Sequence, residues 1–234
     1  MSATTRAARV DPAELRALPA VAPFVVRPGV APARPVVTPT GLPSLDALLG
    51  GGFPRGRIAE VVGPRGSGRT SVLLGSLACA TARGALAALV DATDGLDPAS
   101  AQALGVALGQ LLWVRCGGDL RVAVQAADVI VRGGGFDVVA VDWGDLPPWR
   151  LARVPAAAFV RLQRAVEGTP AALVFAGARR VAGSLAATAV ALSPARPRWK
   201  MGGPGLLAEL ATEARLVRAR DRVAGAAVRL TWAA

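Results

Sequence analysis

Residues 63–71 have the sequence GPRGSGRTS. An apolar run at residues 58–62 precedes this stretch and predicts a strand, and the pattern of residues 70–82 predicts a helix. Closely spaced glycines let backbone N–H groups converge on an anion, and the N-terminus of the following helix adds partial positive charge. The stretch therefore predicts a phosphate-binding loop, or P-loop, at a strand-to-helix junction.

The P-loop pattern GxxxxGK[ST] is matched except at one position, where Arg69 replaces lysine. A planar guanidinium is not equivalent to a compact ammonium, so the sequence leaves present-day ATP binding open. Thr70 retains the hydroxyl that binds magnesium, and Asp142 ends the apolar run 138–141, where a Walker-B carboxylate would stand. We therefore expect weak or vestigial binding of ATP and magnesium, with Thr70 and Asp142 as metal ligands. The predicted cofactor-binding residues are Gly63, Gly66, Gly68, Arg69, Thr70, Ser71 and Asp142.

Strand-length apolar runs alternate with helical patterns from Arg57 onward, which predicts an α/β fold with a mostly parallel central sheet flanked by helices. Antiparallel strands are expected near the C-terminus, with residues 216–223 and 226–232 forming a hairpin across Ala224-Gly225. The other predicted strands are residues 58–62, 85–91, 111–116, 136–142 and 171–176. The predicted helices are residues 70–82, 120–132 and 154–166, with another that begins at Asp97-Pro98.

Residues 1–39 are predicted to precede a core domain of residues 40–234. Asp11-Pro12-Ala13-Glu14 resembles a helix N-terminus with a capping box, so a short helix is expected as far as Leu18. A proline-rich, extended arm follows. Phe24 within this arm either anchors the chain on a neighbouring protein or folds back on its own domain, and the sequence does not choose between them.

Composition excludes several kinds of chemistry. The chain has no histidine, which removes Ser-His-Asp triads and imidazole zinc sites. Cys79 and Cys116 are far apart and form no CxxC motif, which fits a reducing cytoplasm. The N-terminus lacks a signal-peptide pattern, and the longest uncharged apolar run, residues 71–82, is too short to span a bilayer. We therefore expect a cytoplasmic protein without a membrane partner.

Positive charge is concentrated in the C-terminal part of the chain. The net charge is +11, and residues 146–234 hold 14 basic but only four acidic residues. Such a distribution is typical of a surface that faces a polyanion.

The sequence resembles the RecA family of recombinases, and the resemblance covers residues 40–146 nearly without gaps. It implies a RecA-like P-loop core, in which residues at the ends of the central strands take part in ATP hydrolysis. The residues that carry it are Thr40-Gly41, Ser44-Leu45-Asp46, Gly50-Gly51-Gly52, Pro54-Arg55-Gly56-Arg57-Ile58, Glu60, the P-loop, Asp91-Ala92, Leu96-Asp97-Pro98, Leu104-Gly105-Val106 and residues 137–142.

Departures from the family pattern fall on its catalytic positions. The glutamate that activates water in the family corresponds to Thr93, which cannot act as that base. The glutamine that senses the γ-phosphate corresponds to Ala178, and the aromatic residue that stacks on adenine corresponds to Ser100 or its neighbours. Together with Arg69, these departures predict a degenerate ATPase site and no catalytic residue.

Among short RecA-like proteins, the chain most resembles the ImuA-type accessory proteins of bacterial mutagenesis cassettes. This resemblance implies a role in damage-induced (SOS) translesion synthesis, through contacts with the error-prone polymerase subunit, with RecA and with single-stranded DNA as further candidate partners. An active DNA-dependent ATPase of recombinational repair is the alternative, and it would need a substitute base such as Asp94. A small-molecule kinase would need a lid that no sequence feature indicates.

Basic and aromatic residues in the C-terminal half are candidate nucleic-acid contacts, because an exposed tryptophan stacks on bases while arginines neutralise phosphates. In the alternative interpretation, Trp149 packs under its own loop and the arginines are solvated. Another cluster, at residues 196–200, is expected in a loop that binds nucleic acid or an acidic partner. The predicted nucleic-acid residues are Trp149, Arg150, Arg153, Arg179 and Arg180.

Arg218, Arg220 and Arg222 alternate in the sequence and are predicted to project from one face of a strand. The family resemblance implies that this face docks on the end of a RecA filament, and an ordinary solvated basic face is the alternative. With Phe24, these arginines are the predicted partner-binding residues.

Overall fold

Eleven strands and six α-helices follow one another in the computed structural model, which describes residues 36–200 and 205–233. The strands are β1 Val37–Thr38, β2 Phe53–Pro54, β3 Arg57–Val62, β4 Leu86–Asp91, β5 Leu111–Arg115, β6 Phe136–Asp142, β7 Ala172–Gly177, β8 Thr188–Leu192, β9 Arg196–Trp199, β10 Leu207–Ala219 and β11 Ala227–Ala233. The helices are α1 Pro43–Leu49, α2 Arg69–Ala82, α3 Pro98–Ala103, α4 Leu120–Gly133, α5 Pro148–Leu151 and α6 Ala156–Val166. The predicted helix after Asp11 and the arm that contains Phe24 lie outside the described residues.

A nine-stranded sheet forms the centre of the fold, in the order β11-β10-β8-β3-β7-β6-β4-β5, with β9 also paired to β10. The pairings among β8, β3, β7, β6, β4 and β5 are all parallel. The pairings of β10 with β8, β9 and β11 are antiparallel. The predicted fold class, a mostly parallel sheet with helices and C-terminal antiparallel strands, is confirmed.

Two hydrophobic cores lie on opposite faces of the sheet, because successive side chains of a strand point to opposite sides. In β6, Val138 and Ala140 belong to the core under α1 and α2, whereas Val139 and Val141 belong to the core under α4 and α6. Strands buried on both faces have continuous apolar sequences rather than alternating ones. This explains why residues 138–141 contain no polar position.

Helix starts follow the sequence signals closely. The carboxylate of Asp97 accepts hydrogen bonds from the backbone N–H groups of Ala99 and Ser100 at the start of α3. Asp119 accepts from Arg121 and Val122 at the start of α4 in the same way. These backbone hydrogen bonds lower the pKa of Asp119, because they stabilise its ionised form. Such N-caps replace bonds that the first helical turn cannot make internally.

The C-terminal hairpin exists, but its strands differ from the prediction. Its turn lies at Ala224-Gly225 as expected, whereas β10 begins at Leu207 and ends at Ala219. Pairing runs from Glu209 opposite Ala233 to Arg215 opposite Ala227. The chain that connects the two paired stretches is therefore longer than the predicted two-residue turn. The predicted strand bounds, residues 216–223, are therefore wrong, because β10 pairs with β8 only as far as Ala219.

Within the described residues, no helix is both long enough and apolar enough to span a membrane.

Candidate functional site

The P-loop lies where the structure turns from β3 into α2, at the carboxyl edge of the parallel strands. Gly68 is the N-cap residue of α2 and has φ of +92°, a conformation that favours glycine. A Cβ atom at this position would stand 2.5 Å from the ring of Trp232, which comes from β11. Gly68 is therefore required both by the backbone conformation and by the tryptophan packed against it.

The P-loop and Trp232 border a cleft of about 370 Å³, together with Asp145, Ala195 and Leu210. Ser67 has a buried hydroxyl oxygen with no hydrogen-bond partner among the described residues. The backbone cradle thus has the shape and an unused polar atom that suit a phosphate group. Sequence reasoning missed Trp232, because nothing in the sequence places β11 beside the P-loop.

Arg69 does not have the surroundings of a phosphate-binding side chain. Its guanidinium donates to the carbonyl of Gly144 at 3.2 Å and to Oδ1 of Asp145 at 2.5 Å. The Arg69 side chain is only 10% exposed, whereas the side chain of Asp145 is 47% exposed. Arg65 also approaches Asp145, at 3.6 Å. The residue at the lysine position of the P-loop is therefore already paired with a carboxylate.

Asp145 was not predicted as a site residue. It follows the Walker-B strand by three positions, and only the folded chain brings it to the P-loop. The signal that could have identified it is chemical: a buried guanidinium requires an anionic or carbonyl partner.

Asp142 ends β6 and accepts a hydrogen bond from the N–H of Gly144 at 2.8 Å. Burial is the main cause that raises its pKa above 3.8; the nearby charge of Asp91 adds to this, whereas the Gly144 N–H and Arg69 oppose it. No group of three or more Asp, Glu, His or Cys in the described ranges could hold a metal ion. Magnesium would therefore depend on Asp142, the hydroxyl of Thr70, phosphate oxygens and water, a donor set that this hard cation accepts.

Thr93, which the family resemblance places at the position of the catalytic glutamate, has its hydroxyl against Gly144. A Cβ atom on Gly144 would be 2.5 Å from the Thr93 oxygen, so the two segments touch. Asp94, the candidate substitute base, faces elsewhere: its carboxylate accepts from Arg115 at 3.2 Å and from the N–H of Gly117 at 3.3 Å. Thr93 has no carboxylate, and the carboxylate of Asp94 is already paired, so neither residue supplies a free carboxylate to the cleft.

Ala178 and Ser100 are the other two residues that the family resemblance places at functional positions. Ala178 directly follows β7 and is exposed, but a methyl group cannot sense a phosphate. Ser100 lies in α3, where its hydroxyl donates to the cap residue Asp97 at 2.5 Å.

The predicted nucleic-acid residues have different surroundings. Trp149 is 60% exposed, and the Arg153 guanidinium lies 5.2 Å from the centre of its ring. Arg150 donates to the carbonyl of Gly118 at 2.6 Å. Arg179 is exposed. DNA binding by these residues stays a prediction.

Arg180 ties the loop after β7 to Glu60, a residue of β3 that is 1% exposed. Its Nε donates to Glu60 at 2.9 Å, and its guanidinium also contacts the carbonyl of Gly183. The Glu60 carboxylate further accepts from the N–H groups of Val181 and Ala182, at 2.6 and 2.8 Å. Glu60 therefore holds the loop in place, and Arg180 takes part in that network.

The predicted basic strand face is not formed. Strand β10 ends at Ala219, so Arg220 and Arg222 lie beyond it. Arg218 donates to the carbonyl groups of Ala186 and Ser184, at 2.6 and 2.9 Å. The physical reason is that pairing of β10 with β8 stops at Ala219, so the chain beyond it no longer has the alternation of a strand.

The cluster at residues 196–200 also differs from the prediction, because Arg196–Trp199 form strand β9 rather than a loop. Arg198 lies 3.3 Å from the carboxylate of Glu209 on the neighbouring strand. Trp199 is 54% exposed.

Comparison with known proteins agrees with the geometry. The model of the RecA N-terminal domain matches residues 30–188. RecA from Rhodococcus opacus is 45% identical over 120 residues, which are 50% of this chain and 34% of that protein. RecA from Methylococcus capsulatus is 49% identical over 107 residues, 45% of this chain and 30% of that protein. The matched region thus spans only about a third of these relatives.

A solved structure of the RadB recombinase is similar in fold. It has a TM-score of 0.61 and 21% sequence identity, and the alignment covers 82% of this chain and 94% of the RadB chain. The family match extends over more than half of the sequence and includes the P-loop, strand β3 before it and helix α2 after it. The chain therefore belongs to the RecA family.

Proposed function

We propose that this protein is a RecA-like accessory protein of DNA-damage-induced translesion synthesis, of the ImuA type, which acts through protein contacts and does not turn over ATP efficiently. The observation that supports the loss of efficient ATP turnover is the pair formed by Arg69 and Asp145. Members of the RecA family generally bind ATP and magnesium. Here the P-loop cation is neutralised internally, so phosphate loses its charged partner.

The hydrolytic step also lacks a base. Activation of water requires a group that can accept a proton within hydrogen-bond reach. Thr93 cannot do this, and the carboxylate of Asp94 is bound to Arg115 and Gly117. The main-chain cradle and Trp232 would still hold a phosphate-bearing ligand, with Thr70 and Asp142 as the magnesium ligands. A bound nucleotide would then stabilise the fold rather than drive a reaction.

The partners in this proposal are the error-prone polymerase subunit of a mutagenesis cassette and RecA. Single-stranded DNA is a weaker candidate, because the guanidinium of Arg180 is paired with the buried carboxylate of Glu60 and with the carbonyl of Gly183. The remaining candidate contacts for DNA are Trp149, Arg150, Arg153 and Arg179.

The test measures ATP binding by calorimetry and ATP hydrolysis with and without single-stranded DNA, using the full chain and the Arg69→Ala variant. We expect no DNA-stimulated turnover, and a stable complex with the polymerase subunit that forms equally well without ATP. Turnover that DNA stimulates and Arg69→Ala abolishes would instead establish the alternative function.

That alternative, a DNA-dependent ATPase of recombinational repair, is favoured by one observation. The cleft beside the P-loop keeps a volume of about 370 Å³, and Thr70 lines it. An ATPase would need Arg69 to leave Asp145 when nucleotide binds. Nucleotide-dependent loss of the Arg69–Asp145 pair, seen by NMR of the arginine side chains, would support it.

A further inference from the structure

A second and larger cleft, of about 780 Å³, lies between the start of α4 and the segment that runs from α5 into α6. It is separate from the P-loop, since none of its lining residues borders the cleft beside Gly68. Four arginines line it, and Asp119 is the one carboxylate among the lining residues. The arginines are Arg121, Arg150, Arg153 and Arg161.

The positive charges of this arginine cleft are poorly neutralised from within. Asp119 directs its carboxylate to the N–H groups at the start of α4, and Arg121 stays 3.6 Å from it with a side chain that is 89% exposed. Arg161 lies 3.6 Å from Asp128, which is shared with Arg132. The cleft therefore attracts a negatively charged ligand.

Two of the four guanidinium groups are held in place before any ligand arrives. Arg150 is oriented by its 2.6 Å hydrogen bond to Gly118, and Arg153 by its position over the ring of Trp149. A guanidinium has five N–H donors, so one internal bond leaves donors for a ligand. Groups that are already ordered lose little conformational entropy on binding.

The remaining lining is mainly aliphatic. Leu120, Val124, Val154, Pro155 and Ala157 contribute apolar surface between the arginines. A ligand that fills the cleft must therefore present apolar groups to this surface and acidic groups to its rim.

We propose that the arginine cleft binds an acidic amphipathic peptide segment of a partner protein. The combination of an apolar floor and a basic rim matches an amphipathic helix that carries carboxylates beside its apolar face. Single-stranded DNA fits less well, because DNA-binding grooves depend on aromatic stacking and no aromatic residue lines this cleft. The proposal adds a surface and a ligand chemistry to the proposed function, and it does not depend on the nucleotide site.

The test uses the full chain and a fluorescent helical peptide of about 15 residues with leucines on one face and glutamates on the other. Its counterpart has lysine in place of every glutamate. Two cleft variants, Arg161→Gln and Ala157→Glu, are compared with neighbours on the same helix that do not line the cleft, Arg164→Gln and Ala156→Glu. All four positions are exposed, so the substitutions leave the core intact.

We expect the acidic peptide to bind and the basic peptide not to bind, by fluorescence anisotropy. Each cleft variant should weaken binding about tenfold, and the neighbouring variants should leave it unchanged. Equal binding to wild type and cleft variants, or no binding at about 1 mM protein, would overturn the proposal. So would an oligothymidylate that displaces the peptide and loses affinity in the same variants, since the cleft would then be a nucleic-acid site. None of these outcomes involves ATP or a polymerase subunit, so the proposal can fail while the proposed function stands.

Discussion

The guanidinium of Arg69 lies 2.5 Å from the carboxylate of Asp145, at the position where the P-loop pattern has a phosphate-binding lysine. Asp145 thus supplies the negative charge that a phosphate would otherwise supply. Because Asp145 is about half exposed, a ligand that offers more charge could compete for Arg69. The pair therefore controls how strongly the P-loop attracts an anion.

Asp145→Asn should increase affinity for ATP about tenfold. The substitution removes a negative charge beside the P-loop and releases Arg69 from its ion pair. Calorimetric titration of the variant and wild type with ATP and magnesium measures the change. Asp137→Asn, which alters another carboxylate paired with arginine far from the cleft, is the control. An unchanged affinity would mean that Arg69 stays on Gly144 without Asp145.

Arg69→Lys should also strengthen ATP binding, but hydrolysis should remain undetectable. A lysine has a compact ammonium that cannot bridge Gly144 and Asp145 as a guanidinium does. The reaction would still lack a base, because Thr93 has no carboxylate. Only the double variant Arg69→Lys/Thr93→Glu should release phosphate, as measured in a coupled assay. Arg65→Lys, at a site that is 91% exposed, is the matched control. Phosphate release by Arg69→Lys alone would show that another group acts as the base.

Glu60→Gln should lower the free energy of unfolding by about 2–3 kcal/mol. The buried carboxylate accepts hydrogen bonds from Arg180 and from two backbone N–H groups. The NH2 group of a glutamine side chain would face one of these N–H donors and could not accept its hydrogen bond. Urea denaturation measures the loss. Glu167→Gln removes an exposed partner of Arg57 and should cost about 0–0.5 kcal/mol. Equal losses in the two variants would contradict the role of Glu60.

Asp142→Asn should stabilise the protein at pH 7 in buffer that contains a metal chelator. Because burial raises the pKa of Asp142 in the folded state, ionisation of this group opposes folding. That opposition is absent well below pH 3.8, grows as the pH rises toward the folded-state pKa, and is complete above it. The difference in melting temperature between variant and wild type should therefore increase with pH over this window. A difference that is constant with pH would show that Asp142 does not titrate in this way.

Some features of the site could be predicted from the sequence because they depend on local signals. Residues 58–62 and 70–82 predict the strand and helix around the P-loop, and β3 and α2 lie there. Strand β6 has the predicted bounds, Phe136–Asp142. The two-residue strands β1 and β2 were not predicted, because such short pairings depend on the neighbouring chain rather than on their own periodicity.

The partners of charged side chains could not be predicted in the same way. Arg180 and Glu60 are 120 positions apart in the chain, and only the adjacent strands β3 and β7 bring them together. The arginines at 218, 220 and 222 show the same limit, since β10 ends at Ala219 and only Arg218 lies within the strand.

The sequence alone determined the P-loop and the α/β order of the elements, because both depend on residue types and spacings that are local in the chain. The tertiary structure decided that Asp145 forms an ion pair with Arg69, that Trp232 packs on Gly68 and that four arginines border one cleft. Those relationships join segments far apart in the chain. Ion pairing and packing act over a few ångströms in space, whatever the separation in sequence.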